Sequence, residues 1–203
     1  MDWPGALQSE IRVGSLGLAY ADPQKPVADL VSSYFGGAFS SRLMKSVRIE
    51  QGKTYGAYGG FQPNRFAGAF RVGTFTKTAS TADTLRAVLA EIQALRQRPP
   101  TPEELALHRR YFLGSAAERF ETPGEVASQF ARLTVNGLPL DHVQKTFANI
   151  ARTEAPQCQA LVDRFVDPEH LLIVVVGDAS RVSTNLQTIA PVTLLDRGGN
   201  LAK

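Results

Sequence analysis

The chain has 203 residues, of which 43% are hydrophobic and 20% are charged, with 22 Lys and Arg against 19 Asp and Glu. This composition suits a globular protein with a sizeable core, as one large domain or two small ones. The small, scattered basic excess argues against a nucleic-acid-binding stripe, which needs basic residues on one face with aromatics between them. The single cysteine, Cys158, excludes an internal disulfide and a cysteine-based zinc cluster.

Nothing in the hydropathy pattern indicates a membrane protein. No apolar run approaches the length of about 20 residues that spans a bilayer. The first ten residues, MDWPGALQSE, have neither the basic nor the apolar region of a signal peptide. We therefore expect a soluble protein, which either stays inside the cell or begins after a removed leader. The compartment, a bacterial periplasm or cytoplasm, is left open by the sequence.

The first third of the chain reads as strand, helix, helix and hairpin. A strand is predicted over 10–20 and a short helix over 26–34, ended by the diglycine Gly36-Gly37. Ser40 or Ser41 can cap a second helix, and Gly52 is a natural left-handed residue just beyond its end. Residues 55–62 and 66–76 are predicted to pair as an antiparallel hairpin across Pro-Asn-Arg.

The middle of the chain is predicted to be helical and the end to return to the sheet. Apolar residues from Leu85 to Leu95 follow the helical period, and further helices are predicted to begin near Asp141 and Thr153. Thr101-Pro-Glu-Glu and Thr122-Pro-Gly-Glu are both typical of capping boxes. The continuous apolar run in HLLIVVVGD, 170–178, predicts a central strand covered on both faces.

Strands near both ends with helices between them predict an α+β fold, in which an antiparallel-rich sheet packs against a layer of helices. We expect a single domain over 1–203, with an ordered core of about 8–195 and short loose ends.

Catalytic chemistry is hard to find in these residues. His108, His142 and His170 lie too far apart in sequence for zinc-ligand spacing, so structural or surface roles are favoured for all three. The glycine-rich FGGAFSS turn precedes a helix, but it lacks a P-loop lysine and the dinucleotide fingerprint. No serine has the glycine flanks of a nucleophile elbow. We therefore predict no catalytic residue and no metal ligand in this chain.

One segment carries a resemblance to a known family. The stretch FGGAFSSRLMKSVRIEQGKTYGAYGGF, 35–61, resembles the signature of the second half of pitrilysin/insulysin-type zinc metallopeptidases. It contains a diglycine turn, a Ser-Arg-Leu helix, and an Arg and a Tyr seven positions apart at Arg48 and Tyr55. FAGAFRVGTFTK, PTPEELALHRRYFLG and HLLIVVVGD resemble later elements, so the likeness covers about 10–178.

The resemblance implies a fold, a partner and a site. Such peptidases have two homologous halves, and the first half binds zinc through a His-x-x-Glu-His motif, which occurs nowhere in this sequence. The chain thus resembles the zinc-free half, with zinc expected on a partner half in the same polypeptide or a separate subunit. Arg48 and Tyr55 are implied to bind the peptide substrate at the partner's zinc.

Other interpretations remain open at this point. Arg48 could complement the end of its own helix, and Tyr55 could be an ordinary strand aromatic. For the whole chain, the alternative to a peptidase half is a non-proteolytic assembly or scaffold module of the same fold. A stand-alone hydrolase with an unrecognised site is a more distant alternative.

Overall fold

The computed structural model describes residues 1–115 and 120–202. The described strands and α-helices are, in chain order, β1 (Gln8–Leu16), α1 (Lys25–Phe35), β2 (Ala57–Gln62), β3 (Ala69–Lys77), α2 (Thr81–Gln97), α3 (Pro102–Gly114), α4 (Pro123–Val135), α5 (His142–Arg152), α6 (Ala155–Phe165), β4 (Leu172–Val176) and α7 (Ala179–Gln187). A π-helix, Met44–Glu50, lies between α1 and β2.

The four strands form one antiparallel sheet in the order β2-β3-β1-β4. The predicted hairpin is confirmed as β2 and β3, although Phe66 lies outside the second strand and is exposed. Helices α1, α2 and α6 contribute to the core under one face of the sheet. The predicted α+β class, a sheet packed against helices, is therefore confirmed.

The two faces of the sheet differ in the way that strand periodicity requires. Ile11 and Val13 of β1 and Phe70 and Val72 of β3 are buried among the helices. Their neighbours of opposite parity, such as Arg12, point to the other face and are exposed. Alternate residues of a strand face opposite sides, so a sheet covered on one side alternates in burial.

The position of β4 differs from the prediction. The run in 170–178 was expected to be a central strand, but β4 lies at the edge of the described sheet and pairs only with β1 as a strand. Its outer edge meets Met1 to Trp3, which bond to Val175 and Gly177. Leu172 and Val174 remain exposed. Apolar content predicted burial on both faces, but it could not predict how many strands lie alongside.

The two capping boxes have different outcomes. Thr122 and Glu125 form the complete box at the start of α4, with both reciprocal bonds present. At the start of α3, Thr101 Oγ1 accepts from the Glu104 backbone N–H, but the Glu104 side chain instead binds Arg42. A long-range ion pair has therefore replaced half of the local motif.

Cys158 and His108, two residues considered in the sequence analysis for chemical roles, are both buried in the structure. Cys158 lies in α6 and is buried, and its burial raises the pKa of the thiol to about 12. His108 of α3 is also buried. Within the described residues, none of the helices is long and apolar enough to cross a membrane.

Candidate substrate-binding site

The site begins with the diglycine that ends α1. A Cβ at Gly36 would lie 2.4 Å from the Gly59 backbone nitrogen, so only glycine allows the turn to approach β2 this closely. The Gly59 N–H donates to the Gly36 carbonyl at 3.3 Å. Nearby, the Phe61 N–H donates to Ser32 Oγ at 2.8 Å. The end of α1 is thus fastened to the outer edge of β2.

The segment that follows is wound more widely than expected. Residues 44–50 form a π-helix, and neither Ser40 nor Ser41 caps it. The Ser41 hydroxyl is buried and has no hydrogen-bond partner among the residues that the structure describes. Gly52 takes φ +58°, as predicted for a left-handed residue beyond a helix end, and its N–H donates to the Arg48 carbonyl at 3.1 Å. π-Helical turns are rare in proteins, and those that do occur are often found at functional sites.

The turn after Gly52 is held by hydroxyl groups. Thr54 Oγ1 donates to the Phe75 carbonyl at 2.5 Å and accepts from the Gly56 N–H at 3.1 Å. Thr76 Oγ1 donates to the Lys53 carbonyl at 2.6 Å. These bonds attach the residues on either side of Tyr55 to strand β3, which fixes the position of the Tyr55 backbone just before β2 begins.

Arg48 and Tyr55 come together in the structure. The guanidinium carbon of Arg48 lies 5.2 Å from the centre of the Tyr55 ring. A second ring, that of Phe39, lies 5.1 Å from the same carbon. The sequence analysis missed Phe39, because an isolated aromatic in a glycine-rich turn belongs to no periodic pattern.

The hydrogen-bonding groups of this pair are largely unused. Among the described residues, Arg48 Nη1 has one long contact, 3.9 Å to Met44 Sδ, and no carboxylate within ion-pair distance. Tyr55 is 79% exposed. A guanidinium offers five N–H donors and a phenol one O–H, so this surface presents donors to whatever binds it.

Arg42, six residues earlier, has a different environment. Its Nε and Nη2 donate to the two carboxylate oxygens of Glu104 at 2.8 and 2.6 Å, and Nη1 donates to the Arg98 carbonyl at 2.8 Å. Burial alone would lower the pKa of Arg42, but the Glu104 carboxylate raises it. Arg42 therefore joins the π-helix segment to the start of α3 and is a structural residue.

His108 belongs to the same buried cluster. Its ring lies edge-on to Tyr34, its Nδ1 shares a 3.1 Å hydrogen bond with Ser33 Oγ, and burial lowers its pKa. The exposed His170 contacts Asp167. In the described part of the chain, no three His, Cys, Asp or Glu side chains are grouped so that they could hold a metal ion.

A groove of about 470 Å³ starts beside the turn that carries Tyr55 and runs over β2 and the exposed face of the sheet. Its lining includes Gly56, Tyr58, Gly60, Gly73 and Arg71. The nearest atoms to a Cβ at Gly73 would be those of the Arg12 side chain, at 3.4 Å, which is an ordinary contact distance. The fold therefore tolerates a side chain at this position, but the glycine leaves the groove open there. Glycine inside a strand often marks the close approach of a ligand or another backbone.

Comparison with known proteins identifies the family of this sequence. The sequence model of a family described as the peptidase M16 inactive domain matches residues 4–112. No curated protein matched the sequence significantly.

Solved structures share the fold. A peptidase M16 inactive domain from Pseudomonas fluorescens is 25% identical with a TM-score of 0.81, and the match covers 88% of this chain and 42% of that one. A protease from Helicobacter pylori is 14% identical with a TM-score of 0.76, covering 87% of this chain and 42% of that one.

The inactive peptidase domain of a candidate zinc protease from Bordetella parapertussis is 14% identical with a TM-score of 0.72; the match covers 84% of this chain and 93% of that one. The chain thus spans less than half the length of the Pseudomonas and Helicobacter chains and nearly all of the Bordetella domain. The family match extends over more than half of the sequence and includes Arg48 and Tyr55. The chain belongs to the peptidase M16 inactive domain family.

Proposed function

We propose that this chain is the zinc-free half of a two-half zinc metallopeptidase, which binds peptide and completes the active site of a zinc-bearing partner domain or subunit. The observation that carries the proposal is the Arg48–Tyr55 pair, whose donors are largely unused among the described residues and whose tyrosine is exposed, in a member of the peptidase M16 inactive domain family. Zinc belongs to the partner on this proposal, since the described residues of this chain do not group into a metal site.

The chemistry assigned to the pair follows from its donors. The guanidinium of Arg48 and the hydroxyl of Tyr55 donate hydrogen bonds to a carbonyl oxygen of the bound peptide. They stabilise the negative charge that develops on that oxygen as the tetrahedral intermediate forms. Preorganised donors aimed at developing charge contribute a large share of catalysis in acyl transfer, because they need no reorganisation at the moment of reaction.

The groove beside the pair suits an extended peptide. It begins at Gly56, next to Tyr55, and passes Gly73, where an added Cβ would lie on the exposed face, 3.4 Å from the Arg12 side chain. A peptide backbone can approach a strand closely at such a glycine. Because the Gly59 and Phe61 N–H groups are already bonded to the end of α1, β2 does not offer them for ladder pairing there. Side chains such as Arg48 and Tyr55 then supply the polar contacts.

Reconstitution tests this function. The purified chain alone should cleave no peptide, and mixing it with its zinc-bearing half should produce chelator-sensitive cleavage. Arg48→Ala and Tyr55→Phe should each lower the kcat/KM of the mixture while the Tm of the chain changes little, and the losses should be less than additive because both groups serve one oxyanion.

Two outcomes would overturn the proposal. Peptidase activity or one tightly held zinc ion in the isolated chain would show that it has its own active site. Full activity of the double variant in the mixture would leave the scaffold alternative, in which the fold is retained for assembly and the pair has no role in cleavage.

A further inference from the structure

The feature that the proposed function leaves unexplained is how Arg48 is held. Surface arginines usually gain their order from carboxylates or backbone carbonyls, as Arg42 does. Arg48 instead lies over two aromatic rings, with its guanidinium carbon 5.1 Å from the centre of the Phe39 ring and 5.2 Å from that of Tyr55. Both distances are within the range of a cation–π contact.

Stacking and ion pairing leave an arginine in different chemical states. A carboxylate takes up N–H donors and neutralises the charge, whereas an aromatic ring covers the flat face of the guanidinium and leaves the N–H groups at its edges. An arginine held by its faces therefore keeps both its charge and its donors for a ligand. The long contact to Met44 Sδ does little to satisfy the Arg48 N–H donors, because a thioether is a weak acceptor.

Phe39 contributes little to the hydrophobic core. It is 64% exposed, so its ring adds little to the core, and it lies in the short turn between α1 and the π-helix. That turn is fixed by glycine at Gly36, whose backbone contacts β2, and by the Gly37 N–H, which donates to the Ser32 carbonyl at 2.8 Å. The rigid diglycine turn thus presents an exposed ring to Arg48.

We propose that Phe39 is a positioning residue for the reaction: its ring, together with that of Tyr55, holds the Arg48 guanidinium in the orientation that binds the peptide carbonyl. The inference rests on the proposed function of Arg48. It also gives Tyr55 two separable roles, because its ring stacks on Arg48 while its hydroxyl donates to the peptide.

The first arm of the test needs no activity. In the full chain with labelled arginine, NMR relaxation at Arg48 Nε reports how ordered the side chain is. Phe39→Leu should lower the order parameter to a flexible value, below about 0.6. Phe39→Tyr and Tyr55→Phe, which keep both rings, should leave it unchanged. An equally ordered Arg48 in Phe39→Leu would overturn the inference.

The second arm is kinetic and uses the chain assembled with its zinc-bearing half. Phe39→Leu should lower kcat about two- to fivefold, the factor that one exposed cation–π contact is worth, with KM nearly unchanged. Phe39→Tyr should restore the rate. Phe66→Leu is the matched control, since Phe66 is also exposed and its ring lies 5.3 Å from the guanidinium carbon of Arg65, outside the site.

The two proposals fail in different ways. If Arg48→Ala abolishes cleavage while Phe39→Leu disorders Arg48 without changing kcat, the positioning role is wrong and the proposed function stands. If Phe39→Leu disorders Arg48 but neither variant changes cleavage, the proposed function is wrong and the positioning role falls with it. Equal losses of kcat in Phe39→Leu and Phe39→Tyr, each with a lower Tm, would assign Phe39 a structural role and also overturn the inference.

Discussion

Arg42 and Arg48 lie six residues apart in one segment and are used in opposite ways. Arg42 donates to both oxygens of Glu104 and to the carbonyls of Arg98 and Pro99. Arg48 lies over two aromatic rings and, among the described residues, has no acidic partner. Satisfied donors stabilise the fold, and unsatisfied donors are available to a ligand.

This difference teaches how to separate structural from functional residues in a single motif. Both arginines belong to the segment that resembles a peptidase signature, so membership of the motif does not distinguish them. The distribution of hydrogen bonds does, because a side chain whose donors are all used inside the fold has none left for a substrate. The comparison yields four predictions, in order of decreasing effect.

The largest effect is expected at Arg48. Arg48→Ala should reduce the kcat/KM of the assembled peptidase by about 10²–10³, the usual loss for one oxyanion donor. Arg48→Lys should fall between Ala and wild type, because lysine keeps the charge but has no planar group to stack on the rings. Steady-state kinetics with a peptide substrate measures both. A loss of stability in place of a loss of rate would make Arg48 resemble Arg42 and remove the contrast.

Arg42→Ala should show the reverse pattern. The change leaves Glu104 and two carbonyls without their donor, which should lower the free energy of unfolding by about 2–3 kcal/mol. Urea unfolding followed by circular dichroism measures this, and the fraction that remains folded should keep full activity in the assembled enzyme. Arg65→Ala, which removes an exposed arginine whose side chain contacts the Phe66 ring alone within the described residues, serves as the control and should change stability by less than about 0.5 kcal/mol.

Gly52→Ala tests the end of the π-helix that carries Arg48. Gly52 has φ +58° and an added Cβ would meet nothing within 4 Å, so the whole cost is backbone strain of about 1 kcal/mol in unfolding free energy. Gly114→Ala is a matched control, because its Cβ also meets no atom of the described residues within 4 Å but its φ is not positive; it should be neutral or stabilising. Equal effects of the two substitutions would contradict the left-handed geometry at Gly52.

The smallest effect concerns pH and the cluster around Arg42. Burial lowers the pKa of His108, so below about pH 6.5 the unfolded chain binds a proton at this residue that the native state does not. The free energy of unfolding should therefore decrease as the pH falls from 7 to 5, and His108→Gln should reduce that slope. Part of the slope should remain, because burial also lowers the pKa of His142. An unchanged slope in His108→Gln would contradict the prediction.

Local signals predicted most of the fold. Hydrophobic periods gave the helices and the hairpin, and Thr122-Pro-Gly-Glu formed its complete capping box. Contacts between distant residues were beyond such signals. Glu104 pairs with Arg42 from 62 positions away and so leaves the first capping box half formed. In the same way, the composition of 172–176 could not show that β4 lies at the edge of the described sheet.

The site was predicted in part. The spacing and resemblance selected Arg48 and Tyr55, and the structure brings them together, while their role in binding stays a prediction. Phe39 could not be predicted, because only the three-dimensional path of the diglycine turn brings its ring to Arg48. Nor did the sequence indicate a π-helix at 44–50, because a helical hydrophobic pattern does not distinguish a π-helix from an α-helix.

The contact between the end of α1 and β2 has a further consequence, for aggregation. Exposed sheet edges can pair with other chains and propagate into fibres, and propagation needs two free edges on each chain. At the β2 edge, Ser32 Oγ and the Gly36 carbonyl occupy the N–H groups of Phe61 and Gly59, so an incoming strand finds these two donors already used. At the opposite edge, Met1 and Trp3 bond to Val175 and Gly177 beside β4. Both edges of the described sheet are therefore partly occupied by the chain itself, which disfavours edge-to-edge growth into a fibre.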